Sequence, residues 1–161
     1  MQNLSEPIEF LKEIHEAGVR YLLIGRRSII AYGGPVQTMD YDIYVDNCDD
    51  NIDLLLKIAE KFELYPSIPK EKIKRHFKFR LENDTAIDVF CAKHFSIGKS
   101  RKLSFNELYE RRSVAKGETD LLINLPAIED LIALKKLGSR PKDIEDIKYL
   151  EGLKKLRKRN P

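Results

Sequence analysis

Two neighbouring stretches decide how this chain folds: Tyr21-Leu22-Leu23-Ile24-Gly25-Arg26-Arg27-Ser28, and then Thr38-Met39-Asp40-Tyr41-Asp42-Ile43-Tyr44-Val45-Asp46. Residues 19–25, VRYLLIG, are short and rich in Val, Tyr, Leu and Ile, and they end at Gly, which reads as a buried strand. RRSIIAYGG predicts a helix that starts just after Gly25 and stops at Gly33-Gly34. Residues 38–46 alternate, with Asp40, Asp42 and Tyr44 on one face and Met39, Tyr41, Ile43 and Val45 on the other. This is a strand with two carboxylates on one side.

Upstream, residues 6–17 place Ile8, Leu11 and Ile14 at helical spacing, with Phe10 and Ala17 near the same face. Ser5 reads as the N-cap, Pro7 lies in the first turn and Gly18 is the stop. Downstream, Asp46, Asp49 and Asp50 read as turn and cap residues ahead of a helix over 52–64. Lys72 to Leu81 alternates again: Ile73, Phe77, Phe79 and Leu81 face one way, and Lys72, Lys74, His76, Lys78 and Arg80 the other. Glu82-Asn83-Asp84 supplies a turn and Thr85 to Ala92 a second arm, so 72–92 is read as a hairpin. On that arm Ala86, Asp88 and Phe90 share one face, and Ile87, Val89 and Cys91 the other. The basic face is read as solvated, His15 and His94 as surface residues, and Cys91 as core.

Residues 93–117 carry Lys99, Arg101, Lys102, Arg111, Arg112 and Lys116 around a short helix, SFNELYERR. DLLINL (120–125) is strand-like, Pro126 opens a helix ended by Gly138, and Pro141 opens a last helix with a basic tail. The order predicts an α+β (mixed α/β) core over 1–125, with a C-terminal helical segment over 126–161 packed on it as one domain.

The chain has 161 residues, enough to bury a core without disulfides or a structural metal. Lys+Arg 29 against Asp+Glu 26 leaves only +3, so the surface is dense in both signs and argues against general nucleic-acid coating. Abundant Lys and Glu with no Trp, two Met and two Cys lean towards a thermophilic composition. No apolar run reaches membrane-spanning length, the acidic, amphipathic N-terminus is unlike a leader, and no membrane partner is expected. Cys48 and Cys91 read as reduced thiols of a cytoplasmic protein.

The chemistry rests on three carboxylates. Asp40, Asp42 and Asp88 each project from a strand face in an otherwise apolar pattern, where acids are rare unless paired or metal-bound. If the two strands are neighbours, the carboxylates can converge on a divalent cation, since Mg²⁺ takes hard oxygen ligands and is completed by substrate phosphates. Paired ions can then clamp both oxygens of an in-line displacement. Upstream, the helix start after Gly25 offers backbone N–H groups to phosphate, Ser28 a hydroxyl, and Arg26 and Arg27 guanidinium groups.

With these residues in place, the chain resembles the nucleotidyltransferase superfamily that shares the DNA polymerase β-type palm. The matching stretches are Tyr21 to Ser28, Tyr32-Gly33-Gly34-Pro35, Thr38 to Val45 and Ala86-Ile87-Asp88-Val89-Phe90. The family pattern is an apolar strand, Gly-Gly or Gly-Ser, a helix, Thr-x-Asp-x-Asp and a third Asp on a later strand. The ending, Pro126 to Lys135 and then Gly138-Ser139-Arg140-Pro141-Lys142-Asp143-Ile144-Glu145-Asp146-Ile147, is similar to small bacterial and archaeal members related to toxin–antitoxin and abortive-infection nucleotidyltransferases. The resemblance covers roughly residues 19–150.

It implies a twisted mixed β-sheet of the palm type, with helices packed on it. It implies that Asp40 and Asp42 hold Mg²⁺ or Mn²⁺, that Asp88 completes the site and activates an acceptor hydroxyl, and that Gly25 and Ser28 lie by the nucleotide phosphates. Lys135 and Asp143 match positions near the site in the toxin-like members. The activity implied is transfer of a nucleoside monophosphate from a nucleoside triphosphate to a hydroxyl on RNA, protein or a small molecule, with release of pyrophosphate; a cognate antitoxin is an implied partner. Arg26 departs from the pattern, because it stands where the family has a second small residue. A guanidinium there either replaces backbone contacts to the triphosphate with charge or blocks them. The alternatives are a nucleotide- or RNA-binding module without turnover on the same fold, and a partner-binding component of a toxin–antitoxin pair.

Overall fold

The computed structural model describes residues 6–97, 100–117, 121–138 and 140–159. Ser5, Lys99, Asp120 and Ser139, which the sequence reading used, lie outside the described residues.

Helix α1 (Glu6–Glu16) buries Pro7, Phe10, Leu11 and Ile14, one face at i, i+3, i+4 and i+7. Ile8 is 37% exposed and Ala17 is also exposed, so the expected stripe is turned by one residue at its ends. Strand β1 (Tyr21–Ile24) runs directly into α2 (Gly25–Ala31), as the Gly-led turn predicts. Strand β2 (Tyr41–Val45) follows, and Met39 and Asp40 lie ahead of it, both exposed. Helix α3 (Asp49–Lys61) has Asp49 and Asp50 in its first turn, where acids suit the positive end of the helix. Asp46 is fixed by Arg20 at 2.5 Å.

The predicted strand over 72–81 forms only in its second half. After β3 (Tyr65–Pro66), residues Lys70–Ile73 make a helical turn, α4, and strand β4 (Lys78–Glu82) begins beyond it. Pro69 stands at the head of α4, a place its fixed φ suits, and Ile73 is the residue that the turn buries. Phe77 therefore escapes the sheet register and is 67% exposed. Strand β5 (Ala86–Phe90) pairs antiparallel with β4 and completes the hairpin. The sheet order is β1-β2-β5-β4-β3, and its one parallel pair among the described residues is β2 with β5.

Beyond residue 92 the structure is richer in strands than its sequence suggests. Strands β6 (His94–Ile97) and β7 (Arg101–Ser104) pair antiparallel, and α5 (Phe105–Glu110) starts where Ser104 Oγ accepts the Glu107 N–H. Strands β8 (Ser113–Lys116) and β9 (Leu122–Leu125) form another pair. Helices α6 (Ile128–Lys135) and α7 (Pro141–Arg159) end the described chain, as the two Pro-led starts predict.

The pleat divides the burial. Leu23, Ile43, Val45, Ile87 and Val89 face α1 and α3 in the largest core. Leu22 and Tyr44 face the other way, against Leu103, Phe105 and Leu108. Ile29 of α2, Leu131 of α6 and Leu150 of α7 make a third cluster. The helical segment thus packs on the helix that follows Gly25, and this brings α6 and α7 beside the carboxylate face of β2.

Candidate active site

Asp42 and Asp88 are direct cross-strand partners, because β2 and β5 run parallel and in register. Both leave the same face of the sheet, and their carboxyl groups are close enough for a hydrogen bond to link them. Asp42 is pushed up to about 6, first by burial, then by the Asp88 charge and the hydrogen bond to Asp88, and then by Asp40. Asp88 has cationic neighbours of its own: Arg80 Nε lies 3.1 Å from Oδ1 and Lys78 Nζ 3.7 Å from Oδ2.

Asp40 sits at the mouth of β2. Its N–H donates to Thr38 Oγ1 at 3.1 Å and its C=O accepts from Arg27 Nε at 3.3 Å. Among the described residues no three His, Cys, Asp or Glu side chains gather as a metal-ligand group. The close unit is the Asp42–Asp88 pair, with Asp40 felt through its charge. This donor set fits a hard divalent cation, which needs only one or two carboxylates when substrate phosphates complete its shell. A cation between the two carboxylates would also remove the repulsion that lifts Asp42.

Gly25 is packed against this pair. Its φ is +68°, and a Cβ there would run into Asp42 Oδ2. The glycine therefore serves both the turn and the carboxylate. A cleft of about 320 Å³ opens beside them. Ile24, Gly25, Asp42 and Phe90 form one wall, and Lys135, Gly138, Arg140 and Asp143 of the α6–α7 junction form the other. Phe95, Leu131, Leu134 and Leu137 make the lining largely apolar, and Asp42, Lys135, Arg140 and Asp143 are its charged members. Gly138 lets the junction close tightly, since a Cβ there would meet the Asp143 carboxylate.

Of the residues assigned to the nucleotide, Gly25 and Lys135 line the cleft, while Arg26, Arg27 and Ser28 do not. Ser28 is fully buried and its hydroxyl donates to Gly25 O at 2.6 Å, which braces the turn from behind. Arg27 lies over the Tyr41 ring at 4.1 Å. Arg26 is turned towards α7, with its Nε 3.1 Å from Asp146 Oδ1, and so leaves the mouth of the turn clear. Lys135 meets the same Asp146 at 2.7 Å and Asp143 at 4.0 Å. Arg140 grips Asp143, which lies below the usual carboxylate range for that reason before any other.

The alternation alone puts Lys78 and Arg80 on a solvated face, yet both reach Asp88. The signal was available in the hairpin: a turn at Asn83–Thr85 sets Arg80 opposite Asp88. Phe95 and Arg140 were also missed as cleft residues. Their positions depend on β6 and on the α6–α7 junction, which no local pattern locates.

No family model and no curated protein matches this chain. Solved structures do. The lincosamide antibiotic adenylyltransferase LnuA, solved with lincomycin bound, matches with a TM-score of 0.65 at 16% identity, over 92% of this chain and 96% of that one. A Thermotoga maritima protein assigned as a nucleotidyltransferase matches with a TM-score of 0.62 at 14% identity, over 98% and 93%. The antibiotic-resistance factor ANT(2'')-Ia, solved with adenylyl-2''-tobramycin, matches with a TM-score of 0.60 at 14% identity, over 96% and 94%. The chain shares the mixed α+β fold of these proteins over nearly the whole length of each. No helix among the described residues is long and apolar enough to cross a membrane.

Proposed function

We propose that this chain, on its nucleotidyltransferase fold, moves a nucleoside monophosphate from a nucleoside triphosphate to an acceptor hydroxyl and releases pyrophosphate. The observation that carries the reading is the in-register Asp42–Asp88 pair, set against the Gly25 turn at the edge of a cleft. Asp42 and Asp88, with Asp40 adding its charge, would hold Mg²⁺ or Mn²⁺. When bound, the ion supplies charge neutralisation for the triphosphate.

The chain's own groups then have separable tasks. Gly25 lets the turn close against the Asp42 carboxylate and holds it at the edge of the cleft. Lys135 and Arg140 present positive charge from the opposite wall. Asp88 takes the proton of the acceptor hydroxyl as its oxygen bonds to the α-phosphorus and the bond to pyrophosphate breaks. The division into a core over 1–125 and a helical segment over 126–161 belongs to this reading, because the segment supplies the second wall. So does a cytoplasmic setting, where nucleoside triphosphates are available.

Among acceptors, a small-molecule hydroxyl is favoured over RNA or protein. The cleft is small and largely apolar, and structural neighbours of this fold were solved with lincomycin and with adenylylated tobramycin. The test is transfer of label from α-labelled nucleoside triphosphates with Mg²⁺ or Mn²⁺, offered small hydroxyl compounds, RNA and the protein itself. Wild type is expected to label an acceptor, and Asp42→Asn and Asp88→Asn to lose at least about 100-fold in rate. Undiminished transfer by Asp42→Asn overturns the assignment.

A further inference from the structure

We infer that Arg26 is a positioning residue that sets the charge of the cleft through Asp146 and Lys135. The inference rests on the reading of this cleft as a triphosphate site. Arg26 does not line the cleft, so any effect it has there must be relayed.

The relay is a buried carboxylate. Asp146 of α7 has no exposed side-chain surface, and neither of its oxygens has a hydrogen-bond partner among the described residues. It is balanced by charge alone: Arg26 Nε at 3.1 Å on one side and Lys135 Nζ at 2.7 Å on the other. The Arg26 and Lys135 side chains are themselves only 16% and 12% exposed, so water screens this triad weakly. Glu145, 3.8 Å from Arg26 Nη2, is 54% exposed and counts for little.

The balance of charges shows what Arg26 adds. On the α6–α7 wall, Lys135 and Arg140 are cancelled by Asp143 and Asp146. A wall that cancels to zero offers an incoming polyphosphate no net attraction. Arg26 brings one further positive charge to Asp146 from behind, and Lys135 is then free to serve a ligand in front. The Asp42–Asp88 pair lies on the opposite wall, with Lys78 and Arg80 beside Asp88, and its charge is the same in every Arg26 and Asp146 variant, so it drops out of their comparison. Arg26 thus occupies a position adjoining the Gly25 turn without obstructing it, and supplies charge without touching the ligand. A mere clamp between α2 and α7 would use the same contacts but would not depend on their sign.

The sign can be tested by binding. Affinity for ATP and the other nucleoside triphosphates, and for inorganic tripolyphosphate, is measured by calorimetry at low salt for wild type, Arg26→Met, Arg26→Lys, Asp146→Asn and the Arg26→Met/Asp146→Asn pair. Thermal melts report folding of each. Arg26→Met is expected to weaken binding roughly tenfold, as loss of a unit charge about 10 Å away implies. Asp146→Asn is expected to bind as tightly as wild type or more tightly. The double variant and Arg26→Lys should return to within about threefold of wild type, because each keeps the net charge.

Equal weakening by Arg26→Met and Asp146→Asn, with the double variant weaker still, overturns the relay in favour of a clamp. Tighter binding by Arg26→Met overturns it in favour of an obstruction. If Arg26→Met does not fold, Arg26→Lys and the double variant carry the decision. Tripolyphosphate that follows the expected order while no nucleotide binds leaves the relay standing and removes the proposed function. Nucleotide binding indifferent to all the variants does the reverse. If neither nucleotide nor tripolyphosphate binds wild type, the relay is overturned.

Discussion

Gly25 and Asp42 are one unit, because the missing Cβ of the first is the space taken by the carboxylate of the second. With φ at +68°, any side chain at Gly25 is strained before it meets its neighbour. Gly25→Ala is expected to cost roughly 1–3 kcal/mol in urea unfolding and to abolish nucleotidyl transfer. Asp42 carries the complementary prediction. Its folded carboxyl holds a proton up to about 6, against 3.8 in the unfolded chain, through burial first and Asp88 second. The stability this contributes is fully present below pH 3.8 and is lost as pH rises through 6. In metal-free buffer, Asp42→Asn should therefore stabilise the protein by about 1–2 kcal/mol at pH 8, after allowance for solvent screening, and by almost nothing at pH 3.5. A melting-temperature profile across that range checks both the size and the direction.

Among the elements, α1, β1 and β9 are joined at a single hydroxyl. Tyr21 OH lies 2.9 Å from His15 Nδ1 and accepts the Asn124 N–H at 3.3 Å. This arrangement suits a neutral ring with Nδ1 as acceptor. His15 lies below its ordinary value of 6.5, through burial first and then the Arg112 charge, with Glu16 opposing. The stability tied to this group is present above pH 6.5 and is lost as pH falls towards the lower folded value. Measured in the Asp42→Asn background, where the opposite trend is gone, stability should fall from pH 7.5 to 5.5, and His15→Asn should flatten that slope. Tyr21→Phe should cost about 1–3 kcal/mol by stranding the buried Asn124 N–H, which equilibrium unfolding would show.

Across the whole molecule, the carboxylate face becomes a cleft only because the C-terminal helices are tied back to the core. Tyr32 OH donates to Pro126 O at 2.6 Å, where the helical segment begins. Arg111, after α5, forks onto the buried Asp130 of α6 at 2.9 and 3.0 Å. Arg111→Ala leaves that carboxylate without its partner and is expected to cost about 2 kcal/mol, less than for a wholly buried pair because Arg111 is half exposed. Asp130→Asn in the same background should recover part of the loss. Urea titration of the variants and the pair checks this, and unchanged stability in Arg111→Ala would mean that α6 is held by packing alone.

Much of this was legible in the chain before any contact was known. Asp42 and Asp88 stand out because strand alternation and a hairpin turn are local, so side-chain faces follow from counting. The Gly25 turn, α3, α6 and α7 follow from stop and start residues in the same way. Arg75 gave the one local warning against a strand over 72–81, since a charged residue interrupts the apolar face there; the Pro69-led turn explains it. After residue 92, β9 was legible in the apolar run DLLINL, but β6, β7 and β8 were not, because their four residues mix polar and apolar side chains with too little periodicity. The direction of Arg26 was not legible either. Its long side chain could reach the cleft or α7, and the outcome depends on Asp146, 120 positions along the chain. Local pattern was enough to say which residues share a face, because the backbone repeat sets that. Which faces meet, and hence whether a cation touches a ligand or a buried carboxylate, depended on how distant helices pack.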